Sequence, residues 1–118
     1  MSTDRELLEL VAKASSIEYE WHPGCGYALR LTALDAKVIY WNPLADDGDA
    51  LRLAVKLKLS IFPPEGDDGD FAVASVPEGV LDDFGETWIQ ESVKDGDKLA
   101  ATRRAIVCAA AEVGRQML

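Results

Sequence analysis

The run Phe71-Ala-Val-Ala-Ser-Val76 constrains this chain most. Phe71, Val73 and Ser75 alternate on one side of an extended segment, and Ala72, Ala74 and Val76 on the other, so a strand here has little polarity on either face. Such a strand needs cover on both sides. Neighbouring segments supply partners for its edges. Strands are predicted at about 59–62, stopped by Pro63-Pro64, and at about 87–93, where Trp88, Gln90 and Ser92 alternate with Ile89, Glu91 and Val93. Polar groups on both alternations mark 87–93 as an edge strand and leave 71–76 in the centre. Short sequential connections make the pairing antiparallel.

Three helices accompany these strands. Thr3 and Glu6 form the reciprocal cap of a helix N-terminus, and Leu7, Leu10, Val11 and Ala14 follow at helical spacing, predicting a helix over about 4–15. Its stripe is narrow, with Glu6, Glu9 and Lys13 outward. From Trp41 to Ile61 a polar acidic turn feeds an apolar pattern. Asp46 is the expected N-cap and Asp49, three residues on, occupies the capping-box position. Apolar residues at every odd position from Leu51 to Ile61 also fit a strand. The Ala, Leu, Arg and Lys composition decides for a helix over 46–58 followed by the strand. The last helix, 97–117, starts after Asp95-Gly96 and carries Leu99, Thr102, Ile106, Ala109, Ala110, Val113 and Met117 on one face, with Arg103, Arg104, Glu112 and Arg115 expected to face water.

Between the first two helices, 17–41 reads as irregular and β. Ile17, Tyr19 and Trp21 alternate, His-Pro-Gly-Cys-Gly breaks the run, Tyr27, Leu29 and Leu31 alternate again, and Val38 to Trp41 is a brief extended piece. With a central strand apolar on both faces and helices available, the expected fold class is α+β: a three-layer α/β/α sandwich with a small, mostly antiparallel sheet and helices on both faces.

A chain of 118 residues, 48% of them hydrophobic, fits one domain spanning residues 1–118 with a single core. With a net charge of −9, only Arg103 with Arg104 and the group Arg52, Lys56 and Lys58 concentrate basic charge on which a phosphate backbone could release its counterions, so direct nucleic-acid binding is not expected. No run of eighteen apolar residues and no basic-then-apolar leader occurs, which predicts neither a membrane span nor a signal peptide. Cys25 and Cys108 make no disulfide framework.

Little in the chain suggests chemistry. His22 and Cys25 form an H-x-x-C pair, but a structural zinc site needs four ligands and only Cys108 remains. The tetrapeptides Asp46-Asp-Gly-Asp49 and Asp67-Asp-Gly-Asp70 lack the twelve-residue alternation of a calcium loop, so capping and turn roles are expected. No catalytic residue, metal ligand or cofactor is expected. Trp41 and Trp88 are the candidates for a contact surface, because exposed aromatics mark such places.

The stretch Tyr40-Trp-Asn-Pro-Leu-Ala-Asp-Asp-Gly-Asp-Ala-Leu-Arg-Leu-Ala-Val-Lys-Leu57, together with Val76-Pro-Glu-Gly79 and Ala101-Thr-Arg-Arg-Ala-Ile-Val-Cys-Ala-Ala-Ala-Glu-Val-Gly114, resembles the small phage and prophage proteins grouped as the phage ABA sandwich domain. The likeness covers roughly Trp41 to Met117 and rests on fold marks: an Asp-Ala entry to the middle helix and an alanine-rich closing helix. Residues 17–35 depart from the family's short forms. The resemblance implies a sheet between helical layers and brings no activity with it. The expectation is a non-enzymatic accessory protein in the cytoplasm of a bacterial host, acting through a protein partner, with self-association through the sheet edge around Trp88 as one route. An acidic mimic of DNA that blocks a host nucleic-acid-binding protein is the alternative; it requires carboxylates arrayed in a phosphate-like stripe.

Overall fold

A computed structural model of the chain describes residues 3–14, 19–21, 29–32, 38–64, 70–76 and 87–116. The elements run α1 (Asp4–Ala14), β1 (Tyr19–Trp21), β2 (Leu29–Thr32), β3 (Val38–Trp41), α2 (Asp47–Lys56), β4 (Ser60–Phe62), β5 (Phe71–Val76), β6 (Thr87–Ser92) and α3 (Lys98–Gln116). The fold is α+β. The strands form two antiparallel sheets, β1-β2-β3 and β4-β5-β6, and β5 is the central strand of the second.

Each helix begins where its cap dictates. At α1 the Glu6 N–H donates to the Thr3 hydroxyl and the Thr3 N–H donates to the Glu6 carboxylate, both at 3.2 Å. At α2 the Asp49 N–H donates to the Asp46 carboxylate at 2.8 Å. The Asp49 side chain does not complete a reciprocal box; it accepts from the Asn42 N–H at 3.0 Å and from Arg52 at 2.8 Å, which ties the helix to the turn after β3. Before α3, Asp95 and Gly96 both have positive φ and the Asp97 N–H donates to the Lys94 carbonyl, a tight turn that delivers Asp97 as N-cap, accepting from the Ala100 N–H at 2.9 Å.

The middle helix settles the competition between periods. Ala50, Leu53 and Ala54 are buried, while Leu51 and Val55, which a strand would have shared with Leu53, lie in solvent. Helix α2 ends two residues earlier than the sequence pattern predicts. Lys58 takes a left-handed conformation (φ 58°), and the Leu59 N–H reaches the Ala54 carbonyl while the Lys58 N–H reaches that of Val55. This is a Schellman cap with lysine in the glycine position.

Helix α3 is buried on two sides. Ala101, Ala105, Ala109 and Val113 pack with Ala72, Ala74 and Val76 of β5, whereas Ile106, Val107, Ala110 and Ala111 pack with Leu7, Leu8, Val11 and Ala12 of α1 and Ala50, Leu53 and Ala54 of α2. The burial of Leu8 and Ala12 makes the stripe on α1 wider than its sequence pattern suggests. Two expectations for α3 fail. Leu99 is exposed, and Arg103 lies mostly out of solvent, its Nε donating to the Leu44 carbonyl at 2.9 Å and its Nη1 to Asp47 at 2.6 Å. The guanidinium satisfies an otherwise free carbonyl at the entrance to α2, an interaction that outweighs exposure. Met117, expected on the apolar face of the last helix, lies outside the described residues.

Small residues let α1 and α3 approach closely. A Cβ added at Gly114 would sit 2.2 Å from the Leu10 carbonyl oxygen, so the helices must separate to admit it. Gly114→Ala is expected to destabilise the chain by about 1–3 kcal/mol or more, read as a fall in urea midpoint at unchanged slope. Lys58→Gly is expected to act oppositely, stabilising by about 0.5–1 kcal/mol because glycine adopts the left-handed cap without steric cost.

Candidate functional site

The sheet β4-β5-β6 has two unlike faces. On the inner face Ala72, Ala74 and Val76, with Ile89 beside them, form a core with α3. The register places Phe62 opposite Val73, Trp88 opposite Ser75, and Phe71 opposite Ser92, so the outer face consists of Ser60, Phe62, Phe71, Val73, Ser75, Trp88, Gln90 and Ser92. None of these is charged.

Phe62 and Trp88 come from strands on either side of β5, and their rings stack with centroids 5.4 Å apart and planes inclined by 28°. Strands two apart are separated by roughly 9–10 Å, so the rings meet across β5. Stacking of this kind contributes about 0.5–1.5 kcal/mol beyond burial. The pair is nevertheless wet: Phe62 is 47% exposed, Phe71 48% and Trp88 54%. On the same face Ser75 is 1% exposed and its hydroxyl has no hydrogen-bond partner, a condition that costs roughly 1–3 kcal/mol. The low polarity of both alternations of β5 is therefore real, but α3 covers the alanine side, and the side carrying the large rings is open.

Comparison with protein-family models, curated proteins and solved structures finds no match for this chain.

The sequence-derived candidates divide. Trp88 belongs to the open face. Trp41 ends β3 opposite Leu29, and its side chain lies outside the described residues, as do His22 and Cys25. Asp46 and Asp49 act as cap and turn clasp. Phe62 and Phe71 were not singled out, although the hairpin pairing that puts Trp88 beside Ser75 puts all three rings on one face; that pairing was the available signal.

Several of the described acids are engaged with bases. Asp4 pairs with Arg104 at 3.0 Å, Asp47 with Arg103 at 2.6 Å, Asp49 with Arg52 at 2.8 Å, Glu9 with Arg5 at 3.2 Å, and Glu112 with Arg115. Arg104, expected to face water, bridges α1 to Glu91 of β6 at 3.9 Å.

Clefts among the described residues border the helices. One, about 240 Å³, lies between α2 and α3 and is lined by Leu51, Leu99, Ile61 and Ile106. Another, about 370 Å³, holds Cys108 with Glu91, Arg104, Glu112 and Arg115. Here the Cys108 thiol donates to the Glu91 carboxylate at 3.4 Å. Burial first, then the Glu91 charge and hydrogen bond, push that thiol up to about 12. It is protonated at neutral pH and offers no thiolate nucleophile. Among the described residues no cluster of His, Cys, Asp and Glu could hold a metal, and no helix is long and apolar enough to cross a membrane.

Below about pH 9 the Cys108 thiol is protonated in both folded and unfolded chains. As pH rises from there towards about 12, the unfolded chain sheds this proton and the folded chain keeps it, so stability falls across that window. Cys108→Ala is expected to remove part of the decline, measured as urea midpoint against pH from about 8 to 11 for both chains.

Proposed function

We propose that this chain is a non-enzymatic interaction protein whose contact surface is the outer face of the β4-β5-β6 sheet. One observation carries the reading: a three-stranded face without a charged residue, bearing three half-exposed aromatic rings, in a chain of which 28% of residues are charged. Uncharged centres rich in Trp and Phe distinguish protein interfaces from ordinary surface.

Face contact suits this sheet better than edge contact. Pro63-Pro64 follows β4 at once, and β6 carries Glu91 on its inner face, two devices that discourage pairing with a further strand. The three-layer arrangement expected from the sequence is then completed by the partner, which takes the place of a helical layer over Phe62, Phe71 and Trp88. The resemblance to phage ABA sandwich proteins supplies the setting: a phage- or prophage-encoded accessory protein in the bacterial cytoplasm. The DNA-mimic alternative draws support from net charge alone, and the ion pairs of Asp4, Glu9, Asp47, Asp49 and Glu112 weaken it.

The test is affinity capture from bacterial lysate with the wild-type chain and with Phe62→Ser/Trp88→Ser, after circular dichroism shows equal folding. Proteins retained by the wild type are expected to fall at least about ten-fold on the variant, the loss that removal of two hot-spot aromatics brings. Equal retention by both chains would rule this face out.

A further inference from the structure

On the side of the sheet away from the open face, the cleft of about 370 Å³ is bounded by β6, α3 and α1. Arg104, Cys108, Glu112 and Arg115 follow one another at three- and four-residue intervals, so they share a face of α3 and form one wall. Ile89 and Glu91, two apart on β6, stand on another. Leu7 of α1 and Ile89 supply apolar surface, and Lys94, just past the end of β6, lines the cleft from an exposed position. A volume of this size falls in the range of about 300–1,000 Å³ usual for small-molecule sites.

Charges of both signs meet here without being spent on one another. Arg104 is anchored by its Nη1, which donates to Asp4 at 3.0 Å, while its Nε lies 3.9 Å from the Glu91 carboxylate, too far for a hydrogen bond. Among the described residues its Nε and Nη2 therefore make none. Those two N–H groups are parallel, the fork that a carboxylate accepts with both oxygens. The Lys94 ammonium has no acceptor among the described residues either. Glu91 takes the Cys108 thiol on one oxygen at 3.4 Å, and the oxygen nearer Arg104 has no hydrogen bond among the described residues. Open donors and an open acceptor thus stand 3.9 Å apart.

We propose that this cleft binds a small zwitterion, an amino acid with an apolar side chain, whose carboxylate takes the Arg104 fork and Lys94 and whose ammonium takes Glu91. The two charges of an amino acid sit on one carbon, a spacing that lets each reach its own partner across so short a gap. Its side chain lies against Leu7 and Ile89. A purely anionic ligand sets its charge beside Glu91 and Glu112, and a purely cationic one beside Arg104, Arg115 and Lys94, so either is disfavoured by the walls themselves. The site is independent of the aromatic face and goes beyond the interaction reading.

Leucine, N-acetylleucine and leucinamide are the probes, sharing one side chain and carrying both charges, the carboxylate alone and the ammonium alone. Each is titrated into the full chain and followed by amide NMR. Leucine is expected to shift Ile89, Glu91, Lys94 and Cys108, to leave Phe62 and Phe71 unmoved, and to bind about ten-fold tighter than either derivative. Lys94→Gln, a change at an exposed side chain, is expected to weaken leucine and N-acetylleucine about three-fold and not to weaken leucinamide. Either derivative binding as tightly as leucine overturns the zwitterion class. Equal leucine affinity in wild type and Lys94→Gln overturns the place given to the carboxylate. If none of the three moves the cleft residues at about 20 mM, there is no site.

Discussion

The rest of the molecule depends on how closely α3 can lie to its neighbours. On the sheet side alanine meets alanine: Ala101, Ala105 and Ala109 against Ala72 and Ala74. On the other side Gly114 lets the Leu10 carbonyl into contact distance. Alanine buries little area, so each contact contributes modestly by the usual scale of about 25 cal/mol per Å². Compensation comes from short distances and the density of dispersion contacts they permit. A core built this way has little room for an added methyl group, because neither helix backbone nor sheet backbone can bend away as a flexible side chain would.

That choice of small residues inside has a second consequence. The aromatic side chains of the sheet sit on the other face, the reverse of the distribution a closed domain favours. Phe62, Phe71 and Trp88 remain half in water while Ala72 and Ala74 are fully buried. Moving the rings inward is impossible without a one-residue slip of the register, which would drive them into α3. The open face is therefore held open by the packing of the closed one.

Much of this was legible in the sequence, and the misses share a cause. Thr3, Asp46 and Asp97 announce helix starts because a cap is local chemistry, and the bounds of β5 follow from the prolines and acids around it. Lys58 gave no such sign, since a left-handed lysine looks like any other until the hydrogen bonds of Ala54 and Val55 are seen. Leu99 and Arg103 were misplaced because periodicity records apolarity and not what lies opposite; the free carbonyl of Leu44 that draws Arg103 inward comes from a distant part of the chain. Alternation in β5 predicted two faces of low polarity, but a face buried by its own chain and a face left in solvent have the same pattern. Only exposure separates them.

Glu91 shows how the edge and the face are kept distinct. It points inward from the edge strand, where a carboxylate is costly unless bonded, and it finds the Cys108 thiol and the Arg104 guanidinium, which in turn holds Asp4 of α1. The chain of contacts runs from β6 through α3 to α1, so disturbing the edge strand would disturb the helix crossing as well. Among the described residues nothing comparable restrains the outer face, where Ser60, Gln90 and Ser92 border the rings without a charge among them. The sheet thus secures its edge through its own helices and leaves Phe62, Phe71 and Trp88 of its other face about half in water.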